Sequence, residues 1–392
     1  MTHLLLTLAG AVLAGITLPL VLELLAVTAA DLLPARSEFR AVSAAQAPPL
    51  LAIVVPAHNE ELLVDRAVRS LRASAHPGVQ IYVVAHNCTD ATAARAQAAG
   101  ADALVYNDAT AKGKGFALRY GFKHALAQGA GAVMVVDADS TVSANTVAEV
   151  EQAFASGARI VQCRYEMFST TEKSSTRLAA LAFRGFNVIR PRGRERLGCS
   201  AGILGNGFAI LRPVLEAIPY DTVSVVEDLE YHLHLVMAGE RVRYLNDALI
   251  SADFPESKAG ESVQRSRWEG GRLLAARTWT LPVAARVLNG RIRLLEPLCD
   301  LTGLPLAYGV FALLLAVCLP LGWLRWYAAV ALAVVAAHVL AAAWAGPDFL
   351  KTLRLLALTP FYILRKLAMI PGVLRGSSAK AAWVRTERDN TL

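Results

Sequence analysis

The sequence predicts an α/β fold, a parallel sheet with helices on both faces, joined to transmembrane helices and a C-terminal interfacial helix. Three observations predict it. Between residues 50 and about 250, short apolar runs alternate with helical patterns. Outside that region, three apolar stretches reach the ~20 residues that a bilayer crossing needs. From residue 349 onward, basic residues punctuate apolar pieces too short to span.

The strands and helices follow in order. Leu51-Ala52-Ile53-Val54-Val55 is a first strand, stopped by Pro56 and followed by a helical pattern over 60–72. Residues 80–84 form a second strand and 89–99 an alanine-rich helix. Residues 103–106 form a weak third strand, 116–128 a helix, and Ala132-Val133-Met134-Val135-Val136 a fourth strand. Strands that are apolar without alternation are buried on both faces, and with a βαβα order they indicate a parallel sheet between helical layers. Ligands of such sheets sit beyond the carboxyl ends of the strands. The polar motifs fall there, after Val55, Val84 and Val136.

Composition agrees. The 392 residues are 55% hydrophobic and 18% charged, with a mean hydropathy of +0.41. This excludes a disordered chain, a collagen-like fibre and a small disulfide scaffold. Cys88, Cys163, Cys199, Cys299 and Cys318 form no CxxC and no zinc-ligand spacing, so scattered structural thiols in a reducing compartment are expected.

Residues 4–30 are interrupted only by Pro19 and Glu23. A signal peptide is the competing reading, but no Lys or Arg precedes the run and it exceeds a ~7–15-residue signal core. Residues 301–324 and 326–347 contain no Asp, Glu, Lys or Arg; only Arg325 separates them, which predicts a tight antiparallel hairpin. Beyond Phe349, Lys351, Arg354, Arg365, Lys366 and Arg375 break the apolar pattern, as expected of an amphipathic helix in the interface. A fourth span broken at Pro360 is the alternative. Of the net charge of +7, residues 349–392 carry +6 (eight basic, two acidic), leaving 31 basic against 30 acidic elsewhere. With Arg36 and Arg40 after the first span, the positive-inside rule puts everything between the flanks in the cytoplasm and the N-terminus outside. Charge concentrated beside the spans suits a bilayer with anionic headgroups and gives no reason to invoke nucleic acid.

Each polar motif has a chemical and a plain reading. Asp137-Ala138-Asp139 can hold a hard divalent cation through oxygen and leave positions for phosphate, or it is a solvated turn; its place at a strand end favours the first. Lys112-Gly113-Lys114-Gly115 before a helix can cradle phosphate, or is a glycine-rich turn. Glu227-Asp228 opens a helical segment through Met237, either complementing the dipole or supplying a general base. Gln264-Arg265-Ser266-Arg267-Trp268 offers donors and a stacking face, or is an interfacial anchor with snorkelling arginines. Residues 184–196, with Arg190, Arg192, Arg194 and Arg196, read as a mobile basic loop near the membrane or acceptor, or as a plain solvated loop.

Together, Val54-Val55-Pro56-Ala57-His58-Asn59-Glu60-Glu61, the Asn87-Cys88-Thr89-Asp90-Ala91-Thr92 turn, Gly113-Lys114-Gly115, Asp137-Ala138-Asp139, Glu227-Asp228 and the Gln-x-x-Arg-Trp pentad resemble membrane-bound family-2 glycosyltransferases of the cellulose, chitin and exopolysaccharide synthase type. The resemblance covers about residues 50–275, and a basic tail ending in Trp383-Val384-Arg385-Thr386 fits it. It implies a GT-A-type, Rossmann-like mixed sheet, an inverting hexosyltransferase and a Mg²⁺ or Mn²⁺ cofactor. By position, it implies Asp137 and Asp139 as metal ligands, with Asp139 the more direct. Pro56, Glu60, His86, Asn87, Lys114 and Asp137 fall on the nucleotide-sugar side, and Gln264, Arg267 and Trp268 on the diphosphate and acceptor. Asp228, with Glu227, is implied as the catalytic base. His86 stands where the family carries an aspartate that reads uracil, so a UDP-sugar donor is expected with neutral His86 as acceptor, or else a different base.

The expected organisation is an N-terminal transmembrane helix (1–32), a cytoplasmic catalytic domain (48–290), a transmembrane hairpin (298–347) and an interfacial helix with basic tail (348–392) in the inner membrane. The acceptor is a lipid-linked or growing saccharide. Three spans are few for a polysaccharide channel, so a homo-oligomer or an export partner could complete a pore. Two other classes compete: a catalytically impaired nucleotide-binding scaffold, and a nucleotidyltransferase that would release pyrophosphate.

Overall fold

The apolar runs assemble into one eight-stranded sheet: β1 (Leu51–Ala57), β2 (Gln80–His86), β3 (Asp102–Tyr106), β4 (Ala132–Val135), β5 (Thr141–Val142), β6 (Ile160–Phe168), β7 (Phe208–Leu211) and β8 (Val242–Asp253). Their order is β3-β2-β1-β4-β7-β6-β8-β5. The computed structural model describes residues 1–34, 49–168, 173–222, 224, 226–254 and 258–376. The sheet belongs to a unit of residues 34–168 and 200–254; residues 1–33, 169–199 and 255–392 form a second unit.

The predicted parallel sheet holds for β3, β2, β1 and β4. The whole sheet is mixed, because β7 runs against both β4 and β6. Between β6 and β7 come helices Ser174–Arg184 and Arg190–Leu197. The chain arrives through a loop in which Gly202, Gly205 and Gly207 take φ of +99°, +75° and +73°, a conformation that glycine alone adopts without steric cost.

Val54, Val84 and Val135 pack on one face with Leu118, Phe122, Tyr231 and Leu235. Their neighbours in the pleat, Ile53, Val55 and Val83, are equally buried, so both faces are covered. Helix Val64–Ser74 buries Val64, Ala67, Val68 and Leu71, the i, i+3, i+4, i+7 row of an amphipathic helix. Helix Lys114–Ala127 approaches the sheet closely at Gly121, where a Cβ would lie 2.5 Å from Val54 Cγ1 and 3.0 Å from Val84 Cγ2. Gly121→Ala is expected to overpack this contact at a cost of about 1–3 kcal/mol, read as a lower midpoint in thermal denaturation of the detergent-solubilised chain.

In the second unit, helices Thr2–Asp31 and Gly322–Trp344 are long and apolar enough to cross a membrane. Helices Ile292–Thr302 and Leu306–Cys318 qualify only as a pair bent by 79°, so the expected straight span over 301–324 is broken. Gly303 and Pro305 lie in the break. The hairpin turn lies at 319–321, not at Arg325, which belongs to the following helix. Pro320 lacks an amide hydrogen and stops the preceding helix, and Arg325 Nε reaches back to the Leu319 carbonyl at 2.9 Å. Helix Thr2–Asp31 packs Leu20, Val21 and Leu24 against Leu313, Leu324 and Ala328. Thr17 bonds Tyr327 and Thr28 bonds His338, both at 2.8 Å.

Residues 184–196 are not a mobile loop. A π-helical turn Gly185–Ile189 runs into helix Arg190–Leu197, and Arg190 and Arg194 are buried. Arg190 Nε bonds Glu23 at 2.9 Å and its NH2 bonds Asp300 at 2.9 Å. Arg194 reaches Glu23 at 2.6 Å and Glu296 at 2.5 Å, and Arg272 bonds Asp300 at 2.7 Å. Arg192 and Arg196 pair with Asp31. Acids that the sequence leaves far away neutralise the cluster. Gly193 has no room for a side chain, since a Cβ would collide with the Val27 carbonyl.

The C-terminal segment is four short pieces, Phe349–Leu355, Leu356–Leu358, Thr359–Ala368 and Ile370–Gly376, and not one helix. Pro360 and Pro371 each sit in the first turn of a piece, where a proline is tolerated but the preceding helix must end. None of the pieces is long enough to span. Arg36, Arg40 and the segment with Trp383-Val384-Arg385-Thr386 lie outside the described residues.

Candidate functional site

The loops after β1 and β2 are joined through their own polar groups. Asn59 and Asn87 take left-handed φ of 55° and 52°, which asparagine tolerates. Asn59 Oδ1 accepts the Thr89 amide at 2.7 Å, the Glu60 amide donates to Thr92 Oγ1 at 2.8 Å, and His58 Nδ1 lies 2.8 Å from the His86 carbonyl. Pro56 sits within β1, in register with Val84. Asn87 spends its amide on the carbonyls of Asp108 (2.9 Å) and Ala111 (3.1 Å), while its Oδ1 accepts the Asp108 amide at 2.8 Å. It therefore shapes the loop that leads to Lys114. His86 is buried and stacked on Tyr106 at 4.8 Å, and Tyr106 stacks on Tyr120 at 4.6 Å. Burial lowers the His86 pKa, so the ring is neutral at pH 7.

After β4, buried amides hold the Asp137-Ala138-Asp139 turn. Asn206 Oδ1 accepts the Asp137 amide at 3.1 Å, Asn206 Nδ2 donates to Ser140 Oγ at 2.9 Å, and Ser140 Oγ donates to Asp139 Oδ1 at 2.9 Å. Gln162 Nε2 in turn donates to the Asn206 carbonyl at 2.7 Å. Asn206, Gln162 and Ser140 are all buried. Asn206→Ala is expected to cost about 1–3 kcal/mol, because the Asp137 amide loses its acceptor and the Ser140 hydroxyl loses one donor. It should also weaken nucleotide-sugar binding in calorimetric titration.

Lys114 opens its helix after Gly113, whose φ of +121° favours glycine. Its Nζ pairs with Asp137 and donates to the Gly205 carbonyl at 2.6 Å. Burial works against the ammonium charge, but the Asp137, Glu227 and Asp228 carboxylates outweigh it and raise the lysine pKa. Asp228, at the start of helix Glu227–Met237, accepts its neighbour Leu229's amide at 2.8 Å. A Cβ on Gly205 would lie 2.9 Å from Asp228 Oδ2, so this glycine lets the carboxylate approach the lysine-bound carbonyl. Lys114, Asp137 and Asp228 thus converge around Gly205, at the carboxyl end of β4.

Asp137 and Asp139 offer hard oxygen donors suited to Mg²⁺ or Mn²⁺. Among the described residues no group of three or more His, Cys, Asp or Glu forms a complete cation cage. A bound phosphate or water can supply further oxygen ligands. Trp268 lies in the second unit, on helix Lys258–Leu288, with its ring 6.2 Å from Phe183. The side chains of Gln264 and Arg267 lie outside the described residues. Asn206, Gln162, Gly205 and the Tyr106–Tyr120 stack went unread in the sequence; Gly205-Asn206-Gly207, a glycine-flanked amide before a strand, was the available signal.

Comparison with known proteins bears on the family and the fold. The family described as glycosyltransferase-like family 2 matches residues 48–271. A probable glycosyltransferase, YdaM of Bacillus subtilis (strain 168), is 24% identical over 234 residues, 57% of this chain. The chain spans about half the length of that relative (55%). Among solved structures, the mannosyltransferase PcManGT from Pyrobaculum calidifontis, in complex with GDP-Man and Mn²⁺, superposes with a TM-score of 0.60 at 18% identity. That alignment covers 96% of this chain and 99% of the other, and shows a shared GT-A-like fold. With over half of its length inside the family match, the chain belongs to glycosyltransferase-like family 2.

Proposed function

We propose that the protein is an inverting, metal-dependent glycosyltransferase that moves a sugar from a nucleotide-sugar donor to a lipid-linked or growing saccharide acceptor at the cytoplasmic face of the inner membrane. The observation that carries this reading is the convergence of Lys114, Asp137 and Asp228 around Gly205. Lys114 meets the donor's phosphate charge, and Asp228 takes the acceptor hydroxyl's proton as that oxygen attacks the anomeric carbon from the face opposite the leaving diphosphate. The anomeric C–O bond to the diphosphate breaks as the new bond forms, and the configuration inverts. Asp137 and Asp139 would hold the cation, whose charge would offset that of the leaving diphosphate. Gln264, Arg267 and Trp268 serve the diphosphate and acceptor end, as the family resemblance implies.

Residues 48–290 form the catalytic domain in this reading, anchored by 1–32 and 298–347, with 348–392 on the anionic inner leaflet. Exposed Leu350, Phe361, Leu364 and Leu374, with an exposed Lys351 in the same segment, support that last assignment. UDP is the expected donor base; the His86–Tyr106–Tyr120 stack and the GDP-Man in the solved neighbour make GDP-sugars the second arm of the test.

The test incubates the purified chain in nanodiscs with labelled UDP- and GDP-sugars and membrane lipid extract, and identifies both products. A nucleoside diphosphate and a β-linked glycolipid or saccharide from an α-linked donor are expected. Released pyrophosphate, or donor binding with no transfer from any sugar, would overturn the proposal. Cation binding should also depend on donor. Mn²⁺ titrated by electron paramagnetic resonance is expected to bind at least about tenfold more tightly with a nucleoside diphosphate present, since two carboxylates leave most coordination positions to other oxygens.

A further inference from the structure

The basic residues of the C-terminal segment read, one by one, as headgroup contacts. Lys366 is not one. Helix Thr359–Ala368 exposes Phe361 (71%) and Leu364 (60%) on one side, but buries Ile363 and turns Lys366, three residues on, to the same inner side. There Lys366 Nζ pairs with Glu269, and both side chains are only 13% exposed. Tyr308 completes the contact: its hydroxyl lies 2.7 Å from Glu269 Oε2 and 3.4 Å from the Lys366 carbonyl.

Glu269 directly follows Trp268, the last residue of the Gln-x-x-Arg-Trp pentad, on the same helix. One turn on, Arg272 is bound to Asp300 through both a side-chain and a main-chain oxygen. Two shielded ion pairs therefore grip the helix just past the pentad, one to the C-terminal segment and one to helix Leu295–Thr302. A surface lysine in this position would gain little from such a pair. Turning a lysine inward, away from the headgroups its neighbours face, costs desolvation and is retained only where the partner holds it.

We infer that Glu269 is a positioning residue for the pentad, held by Lys366 and Tyr308, so that the C-terminal segment fixes the pentad's orientation. The inference rests on the transferase reading for its kinetic consequence, and on none of it for its structural one. Glu269→Gln and Lys366→Met are each expected to lower kcat at least about tenfold, because small misplacements of positioning groups are costly. Donor KM should stay within about twofold. The exchanged pair Glu269→Lys/Lys366→Glu should regain most of the lost rate, which a merely destabilising substitution would not permit.

The second measurement needs no substrate. Hydrogen exchange of backbone amides in residues 264–272, followed on the full chain in nanodiscs, is expected to quicken at least about fivefold in Lys366→Met and to return in the exchanged pair. Unchanged exchange in Lys366→Met would overturn the inference even if the wild-type chain transferred no sugar. Quickened exchange with wild-type kcat would overturn the positioning role, and absence of transfer by the wild type would instead overturn the proposed function.

Discussion

Replacing Asp228 with asparagine is expected to leave nucleotide-sugar binding within about twofold of wild type and to cut transfer by about 10²–10⁴-fold, the usual worth of a general base. Asparagine is the informative replacement because its carbonyl can still accept the Leu229 amide that Asp228 accepts at 2.8 Å. It also fits the space beside Gly205, so the helix start should keep its geometry while losing the proton acceptor. Asp228 is placed for this work by three features: the helix N-terminus, the side-chain-free Gly205 2.9 Å from Oδ2 to its virtual Cβ, and the neighbouring Lys114. Single-turnover rates with saturating donor, set beside calorimetric donor affinity, separate the two effects. A variant turning over within a few-fold of wild type would move the base to another group, and Glu227→Gln would be the next comparison.

How far this site was legible from sequence depends on the range of the interactions that build it. The β1, β2 and β4 ends were readable because each is a local apolar run followed by a polar residue, and the parallel half of the sheet follows from that order. Asp137, Asp139, Lys114 and Asp228 stood out by residue type, yet their meeting point did not, since it is made by the Gly205 carbonyl and the buried Asn206 amide from a loop with no apolar period. Charge marks Arg325 as the break between the two apolar stretches, but Pro320 is the stronger stop, and Arg325 caps the turn from within the next helix. Residues 184–196 depart furthest from the sequence expectation. Four arginines in so short a stretch read as solvated only if their partners are sought nearby, and these partners are Glu23, Asp31, Glu296 and Asp300. Glu23 was the clue. An acid inside an otherwise apolar span needs a buried partner, and Arg190 and Arg194 supply it.

That cluster gives the second large expectation. Arg194→Ala should destabilise the detergent-solubilised chain by about 3–5 kcal/mol, because it strips a buried cation from carboxylates that cannot reach water. Glu23, Glu296 and Asp300 would then face Arg190 and Arg272 alone. Arg194→Lys should recover only part of the loss, since one guanidinium now reaches Glu23 and Glu296 through different nitrogens and an ammonium offers no such fork. The balanced change Arg194→Met with Glu296→Gln removes one charge of each sign and leaves Glu23 and Asp300 opposite Arg190 and Arg272. It should therefore be less harmful than Arg194→Ala, by about 1–2 kcal/mol or more, despite altering two residues. Thermal unfolding of all four proteins at one detergent concentration reads the order. If Arg194→Ala melts within a degree or two of wild type, the carboxylates are hydrated and the arginines serve only as surface charge; if the double variant is worse than the single one, pairwise packing and not charge balance sets the stability of the membrane unit.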